Sequence, residues 1–299
     1  MKVPLKIAGR KVPPEKIRPM HTTHVDLLQP ESVRGLQASM LNNGYIHLKN
    51  VIPQHLIIKA RHYILESLAG VGEISMPFEK AISTGTSRRH EKKGPLGPFW
   101  RDISRQDLVR RVTHGRELRL LMSAFYGERA HAYDFIWLRT VPPKKSFEMH
   151  CDYPFFKQRR DRIHSVWIPL GDVPLDLGSL YILKNTHNNP QLIKEAQSIG
   201  DVYPKPQDPL EFVTRNNTCF LASPLNMGDV IIFSMFTWHG SFDNTTEKTI
   251  RISCDMRFLP CSEPRDKRFI GATPAIRDCG HLPGGGYGST GQWFSLDEL

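Results

Sequence analysis

The sequence predicts a mainly β protein with a helical N-terminal part, a jelly-roll core buttressed by helices. Two observations carry this. From residue 131 onward, apolar runs of strand length recur at 131–141, 165–170, 179–183, 218–221, 230–238 and 249–258, punctuated by Gly, Pro, Asp and Asn. The first third instead shows helical spacing, so the chain reads as helices followed by many short strands.

Residues 1–30 are polar and aperiodic and read as an extended arm. The stretch 31–43 reads as a short amphipathic helix stopped by Gly44, with Val33, Leu36 and Met40 on one face. Residues 45–51 alternate polar and apolar as a strand does. Residues 54–68 place Leu56, Ile57, Ala60, Tyr63, Ile64 and Leu68 at helical spacing. The Gly-, Pro- and charge-rich segment 71–103 predicts a long loop, and loops of that length are often lids. Residues 104–126 predict one helix, with Ser104 as N-cap, Asp107 at the capping-box position, and Leu108, Val112, Leu118, Leu121 and Met122 toward the core. The Gly- and Pro-rich end, including Gly284-Gly285-Gly286-Tyr287-Gly288, reads as a tail and lacks the strand–helix context of a phosphate loop.

A chain of 299 residues that is 39% hydrophobic and 23% charged has the composition of a globular protein with a sizeable core. No apolar stretch is long enough to span a bilayer. The N-terminus has no apolar signal core, and the five cysteines form no Cys-x-x-Cys pair, so reduced thiols and a cytoplasmic location are expected. The net charge is +10. Residues 1–20 carry six Lys or Arg against one Glu, and residues 88–119 carry ten against four acids. Runs of this kind are usually solvated surface, and the sharper reading is attraction of an anionic substrate. Without zinc-finger or RNP-type motifs, or regular aromatic interleaving, nucleic acid ranks low as a partner.

The chemistry concentrates in His150-Cys151-Asp152, His239 and Arg251. A strand would place His150 and Asp152 on one side and Cys151 on the other. His-x-Asp with a distant His is the composition of a facial triad for non-haem Fe(II) that leaves positions open. Arg251, twelve residues past His239 across what reads as a hairpin, could clamp the far carboxylate of a diacid, with Arg257 as the fallback clamp. The pair alone is weak: His24-Val25-Asp26 repeats it in a Pro-flanked N-terminal stretch and reads as a decoy. Context separates the two. His150 follows the 131–141 run and the Pro142-Pro143 break, and His239 ends the 230–238 run that opens after Met227-Gly228-Asp229.

Further pieces align with these. Gly44-Tyr45-Ile46-His47-Leu48 precedes them; Val166-Trp167-Ile168-Pro169-Leu170, Asp172, Gly178-Ser179-Leu180 and Asn185-Thr186-His187 lie between; Gly228-Asp229-Val230, Trp238-His239-Gly240-Ser241, Asn244 and Arg251 follow. In this order they resemble the phytanoyl-CoA dioxygenase-like branch of the Fe(II)/2-oxoglutarate-dependent oxygenases over residues 31–258. The resemblance implies a double-stranded β-helix, cupin-like core. It implies one dioxygenase domain over 1–299: arm 1–30, helical buttress and lid loop 31–130, core 131–258, tail 259–299. It further implies that His150, Asp152 and His239 ligate Fe(II), and that 2-oxoglutarate chelates the metal while Arg251 binds its far carboxylate, lined by Ser241 and Trp167. O2 is then consumed, succinate and CO2 are released, and a substrate C–H is oxidised, with hydroxylation the first expectation. Lys184-Asn185-Thr186-His187 departs from the family's usual Pro-Gly-Ser-His, which bears on the hairpin rather than the metal.

Each residue has a plainer reading beside it. His150 could be a surface-loop His, His239 a core His, Arg251 an exposed strand Arg, Trp167 a packing residue and Ser241 a turn residue. Arg139 and Arg159 are substrate-contact candidates whose plainer reading is solvated charge. His164 and His187 read as structural. Related halogenases lack the carboxylate, so Asp152 argues for hydroxylation or another oxidation. The expected substrate is a small molecule, anionic by the charge reading. The alternatives are a nucleic-acid base or protein side chain as substrate, and a non-catalytic jelly-roll binding protein, since His and Asp also suit Zn. No Gly-x-Ser-x-Gly elbow signals a serine hydrolase.

Overall fold

The computed structural model describes residues 4–26, 30–93, 96–156, 161–198 and 207–270. The arm gives β1 (Lys6–Ile7), β2 (Arg10–Lys11) and β3 (Ile17–Arg18), then come α1 (Pro30–Asn43), β4 (Tyr45–Leu48) and α2 (Gln54–Gly70). Next are α3 (Arg89–Lys93), α4 (Leu96–Ser104), α5 (Asp107–Thr113), α6 (Arg116–Tyr126), β5 (Ala130–Ala132) and β6 (Trp137–Val141). The second half holds β7 (His164–Pro169), β8 (Leu180–Leu183), α7 (Pro190–Ser198), α8 (Pro209–Arg215), β9 (Phe220–Leu221), β10 (Val230–Ser234), β11 (His239–Ser241) and β12 (Arg251–Pro260).

Two open sheets form the jelly-roll core. The larger runs β4-β10-β7-β12-β5, with β6 also paired to β12; the smaller runs β11-β8-β9-β3. Alternation along the strands sorts their side chains into two cores. Val166 and Ile168 of β7, Ile232 of β10, and Cys254 and Met256 of β12 pack with helix residues such as Leu36, Ile57, Ile64, Val112 and Leu118. Their neighbours Trp167, Ile231 and Phe233 instead pack with Leu180 and Ile182 of the smaller sheet. Both faces of β7 and β10 are thus covered by apolar side chains, which is why these strands read as near-continuous apolar runs, whereas β12 alternates and turns Arg251, Ser253, Asp255 and Arg257 away from the helices. Each fully buried aliphatic side chain contributes roughly 1.5–3 kcal/mol.

The helix α1 stops where Gly44 takes φ +75°, a conformation that favours glycine. A Cβ there would also lie 2.3 Å from the His187 ring. The chain then enters β4 directly, whose partner is β10.

The structure corrects several expectations. Residues 104–126 form parts of three helices: Ser104 ends α4, and its hydroxyl donates to Trp100 O at 2.7 Å. A Ser side chain that takes an i−4 carbonyl competes with the helix ladder, and the next break falls at Gly115, the N-cap of α6. Leu108 is exposed and Val109 is buried in its stead. The 71–103 segment carries α3 and α4, whose Phe99, Trp100 and Ile103 are buried. Pro98 is tolerated because the first helical turn has no internal donor to lose. The 131–141 run is two strands, interrupted where Arg110 donates to Asp134 O and the Asp134 amide donates to Phe269 O. Helices α7 and α8 occupy part of 188–217. The arm supplies β3 to the smaller sheet and 31–130 supplies β4 to the larger, so neither segment is only arm or only buttress. Gly284 to Gly288 lies outside the described residues.

Candidate active site

His150 and Asp152 do not sit on a regular strand. His150 forms a single antiparallel bridge with His239, and the backbone then turns: Asp152 is in the right-handed helical region and caps a short 3-10 turn, Tyr153–Phe155. Cys151 does point away, into a core with Tyr181 and Leu183. His239 does not close the β10 run. The chain turns after Ser234, and His239 opens β11 on the opposite sheet. From there to Arg251 the chain crosses between sheets rather than making a hairpin. The corner is Asn244, whose side-chain amide donates to Val141 O and Thr249 O at 2.8 and 2.7 Å.

This layout brings His150, Asp152 and His239 together, with one ligand atom from each within 4.8 Å of the others. Their hydrogen bonds orient them. The Nδ1 atoms of His150 and His239 donate to Glu148 O at 2.8 Å and Thr237 O at 2.9 Å, which leaves each Nε2 as a lone-pair donor to a metal. Burial, then repulsion from His239, pushes the His150 imidazole down to about 3. Burial also lowers His239, so both rings are neutral, as metal ligands must be. Burial alone would raise the Asp152 carboxyl, but the Arg257 guanidinium outweighs it and holds the carboxyl low. Its Oδ2 accepts from Ser165 and pairs with Arg257, while its buried Oδ1 has no hydrogen-bond partner. An orphaned carboxylate oxygen beside two lone-pair nitrogens fits a divalent metal ion.

Behind the triad lies a cavity lined by Arg139, Phe147, Trp167, Leu180, Ser241 and Arg251, among others. Arg251 is 1% exposed. Its Nη1 donates to Gly178 O at 2.7 Å, its Nε has no partner, and among the described residues no carboxylate lies within ion-pair distance. Burial and the charge of Arg139 push the guanidinium down to about 9. A buried cation without an anion is costly, and a carboxylate entering the cavity would relieve that cost. Trp167 and Phe147 flank it, with ring centroids 5.7 and 5.4 Å from the guanidinium carbon. Ser241 accepts the Phe147 amide at 2.7 Å. Gly240 is required beside it: a Cβ there would lie 2.6 Å from the Tyr181 hydroxyl and 3.2 Å from Met149 Cα.

Other sequence candidates fall elsewhere. Arg257 is not a diacid clamp, because its guanidinium is taken up by Asp152 and Asp255. Arg139 lines the cavity, but its Nε is bonded to Asp255 at 2.5 Å. Arg159 lies outside the described residues. His164 is structural, bonded through Nδ1 to the Tyr126 hydroxyl at 3.0 Å, and His187 donates to Leu41 O. His24 and Asp26 join no metal-capable group among the described residues. In the basic 88–119 run, Arg89, Arg110 and Arg111 pair with Glu73, Asp134 and Glu117. Ser165 and Asp255 were missed by the sequence reading. The signal for Asp255 was its position four residues after Arg251, on the same face of one strand.

The fold and site define an iron- and 2-oxoglutarate-dependent jelly-roll oxidoreductase. The family model for phytanoyl-CoA dioxygenase (PhyH) matches residues 40–253, and the chain belongs to that family. No curated protein sequence matches it. Among solved structures it is similar to the α-ketoglutarate-dependent carbocyclase SnoK of nogalamycin biosynthesis (TM-score 0.57, 16% identity, 81% of this chain and 87% of that one). It is also similar to EctD from S. alaskensis (TM-score 0.56, 16% identity, 93% of each chain). The epimerase SnoN, solved with Fe3+, α-ketoglutarate and nogalamycin RO, gives a TM-score of 0.55 at 18% identity over 86% of this chain and 93% of that one. At these identities the likeness establishes the fold. Iron, 2-oxoglutarate and O2 are the family's cofactor and co-substrates, and no described helix is long and apolar enough to cross a membrane.

Proposed function

We propose that the protein oxidises an unactivated C–H bond of a small molecule, by hydroxylation, while 2-oxoglutarate is converted to succinate and CO2. His150, Asp152 and His239 would hold the iron. Arg251 would bind the distal carboxylate of 2-oxoglutarate, with Ser241 and Trp167 lining the pocket. Iron activates oxygen once bound. The protein's own part is to present three ligand atoms from one side, to neutralise the co-substrate's far charge and to enclose it. The observation that carries this reading is the buried cation of Arg251 in the cavity behind the triad, which has no ion-pair partner among the described residues. A zinc-filled binding protein would have no use for it.

The reading takes residues 1–299 as one dioxygenase domain, supported by the strands that the arm and the 31–130 segment add to the two sheets. An anionic substrate is supported by the net charge of +10, although several of those charges are tied up in ion pairs. Two measurements test the function. Protein loaded with Fe(II) should form succinate from 2-oxoglutarate, and absence of even substrate-uncoupled turnover would favour a binding protein. Affinity for an anionic substrate should fall with added salt; a flat response would remove charge steering.

A further inference from the structure

Asp152 is held from behind by a chain of buried charges. Its Oδ2 accepts the Ser165 hydroxyl and lies 2.7 Å from Arg257 Nη2. Arg257 Nη1 donates to Asp255 Oδ2, and Asp255 Oδ1 accepts from Arg139 Nε at 2.5 Å. The Trp137 ring lies against the Arg257 guanidinium, 4.1 Å from ring centroid to carbon. Asp152, Asp255, Arg257 and Ser165 are each at most 3% exposed. The two carboxylates and two guanidiniums balance in charge without a metal. Two of their buried atoms have no hydrogen-bond partner, Arg257 Nε and Asp152 Oδ1, and of these only the carboxylate oxygen can ligate a metal.

A metal carboxylate can offer one oxygen or both. If both bind, one more position around the ion is filled, and 2-oxoglutarate needs two positions and O2 a third. Here Oδ2 already accepts from two donors that are themselves fixed, Ser165 on β7 and Arg257 on β12, neighbouring strands whose register pairs these two residues. Rotating Asp152 to offer both oxygens would break a charge-assisted bond in a buried site, where such bonds are strongest.

We infer that Arg257 and Ser165 are positioning residues that restrict Asp152 to a single metal-binding oxygen and so keep open the positions that 2-oxoglutarate requires. Asp255 and Arg139 hold Arg257 in place. This rests on the iron and 2-oxoglutarate reading above and assigns Arg257 a role distinct from the anion clamp of Arg251.

The test separates metal binding from co-substrate binding in Arg257→Met, Arg257→Lys and Ser165→Ala. Mn(II) affinity is read by titration, and 2-oxoglutarate affinity by the visible charge-transfer band of the anaerobic Fe(II) protein. Arg257→Met should lose at least about tenfold more in 2-oxoglutarate affinity than in Mn(II) affinity, whereas a lost outer-shell partner that only retains the metal costs about 10- to 100-fold in metal affinity itself. Ser165→Ala should shift in the same direction by less, and Arg257→Lys should recover part of the loss. If Arg257→Met fails to fold, the charge-neutral double variant Asp255→Asn/Arg257→Met carries the same readouts. Unchanged 2-oxoglutarate affinity in the folded variant overturns the inference. So does loss of Mn(II) binding as complete as in Asp152→Ala, because Arg257 would then serve retention of the metal. Failure of wild type to bind Fe(II) with 2-oxoglutarate would instead sink the functional reading, and this inference with it.

Discussion

His150 and His239 hold each other through their backbones: the amide of each donates to the carbonyl of the other, at 2.9 and 2.8 Å. This single antiparallel bridge is what carries the imidazoles to a ring separation of 4.3 Å. The spacing of the metal site is therefore set by main-chain hydrogen bonds, which a change of side chain elsewhere disturbs only if it moves one of the two segments.

Gly240→Ala should do that. The new Cβ would meet the Tyr181 hydroxyl and Met149 Cα at 2.6 and 3.2 Å, and Met149 is backbone that cannot give way cheaply. Overpacking of this kind costs roughly 1–3 kcal/mol. The expected outcome is a lower urea midpoint together with weaker Mn(II) binding; unchanged metal affinity would mean that the bridge tolerates the shift.

Asp152→Ala removes the one carboxylate of the triad. The expected result is loss of iron retention and of 2-oxoglutarate turnover, with the fold kept, measured by metal content after gel filtration and by succinate formation. Full activity would dismiss Asp152 as a ligand.

Arg251→Met should leave metal affinity unchanged and weaken 2-oxoglutarate. A hydrogen-bonded charge contributes about 1.5–3 kcal/mol, so the KM for 2-oxoglutarate should rise on the order of 10- to 100-fold. The variant should also be no less stable than wild type without co-substrate, because it removes a buried cation that has no anionic partner in the described residues.

Stability should fall between neutral and mildly acidic pH. Burial pushes His164 down to about 4, while an unfolded His titrates near 6.5. Between these values the unfolded chain binds the proton and the folded chain resists it, so stability rises with pH across this window and is lost as pH falls through it. At about 1.36 kcal/mol per pH unit the contribution by pH 4 is on the order of 3 kcal/mol. Urea midpoints at pH 7 and pH 4.5 should differ less in His164→Gln than in wild type; equal differences would remove His164 from the account.

Thr186→Val tests the hairpin where this chain departs from its family. Thr186 accepts the Trp238 amide at 3.0 Å and donates to Leu183 O at 2.9 Å, both in the interior. Valine keeps the shape and leaves the amide next to His239 unsatisfied, at a cost of about 1–3 kcal/mol. A melting temperature equal to wild type would show that the amide finds another partner.

The elements that were legible in the sequence are those whose side chains alternate or repeat for local reasons. The helix α2 and strands β4, β7, β8 and β10 lie close to where their periodicity puts them. Gly44 and the turn before Val230 also stop and start elements as expected. Less legible were α4 and α8: Pro98 lies in the first turn of α4, and Pro209 opens α8 just after its N-cap Asp208. Proline there reads as a breaker but takes a position with no donor to lose.

The sequence by itself determined the residue types of the site, their order, and the apolar pattern that buries both faces of the central strands. Tertiary structure alone decided which atoms meet. Asp152 leaves the strand for a helical turn, His239 changes sheets, and Arg257 reaches back to Asp152 instead of serving as a second anion clamp. Strand periodicity fixes only which face a side chain occupies. Which buried charge pairs with which, and which oxygen stays free for a metal, depends on how strands distant in sequence are brought into register.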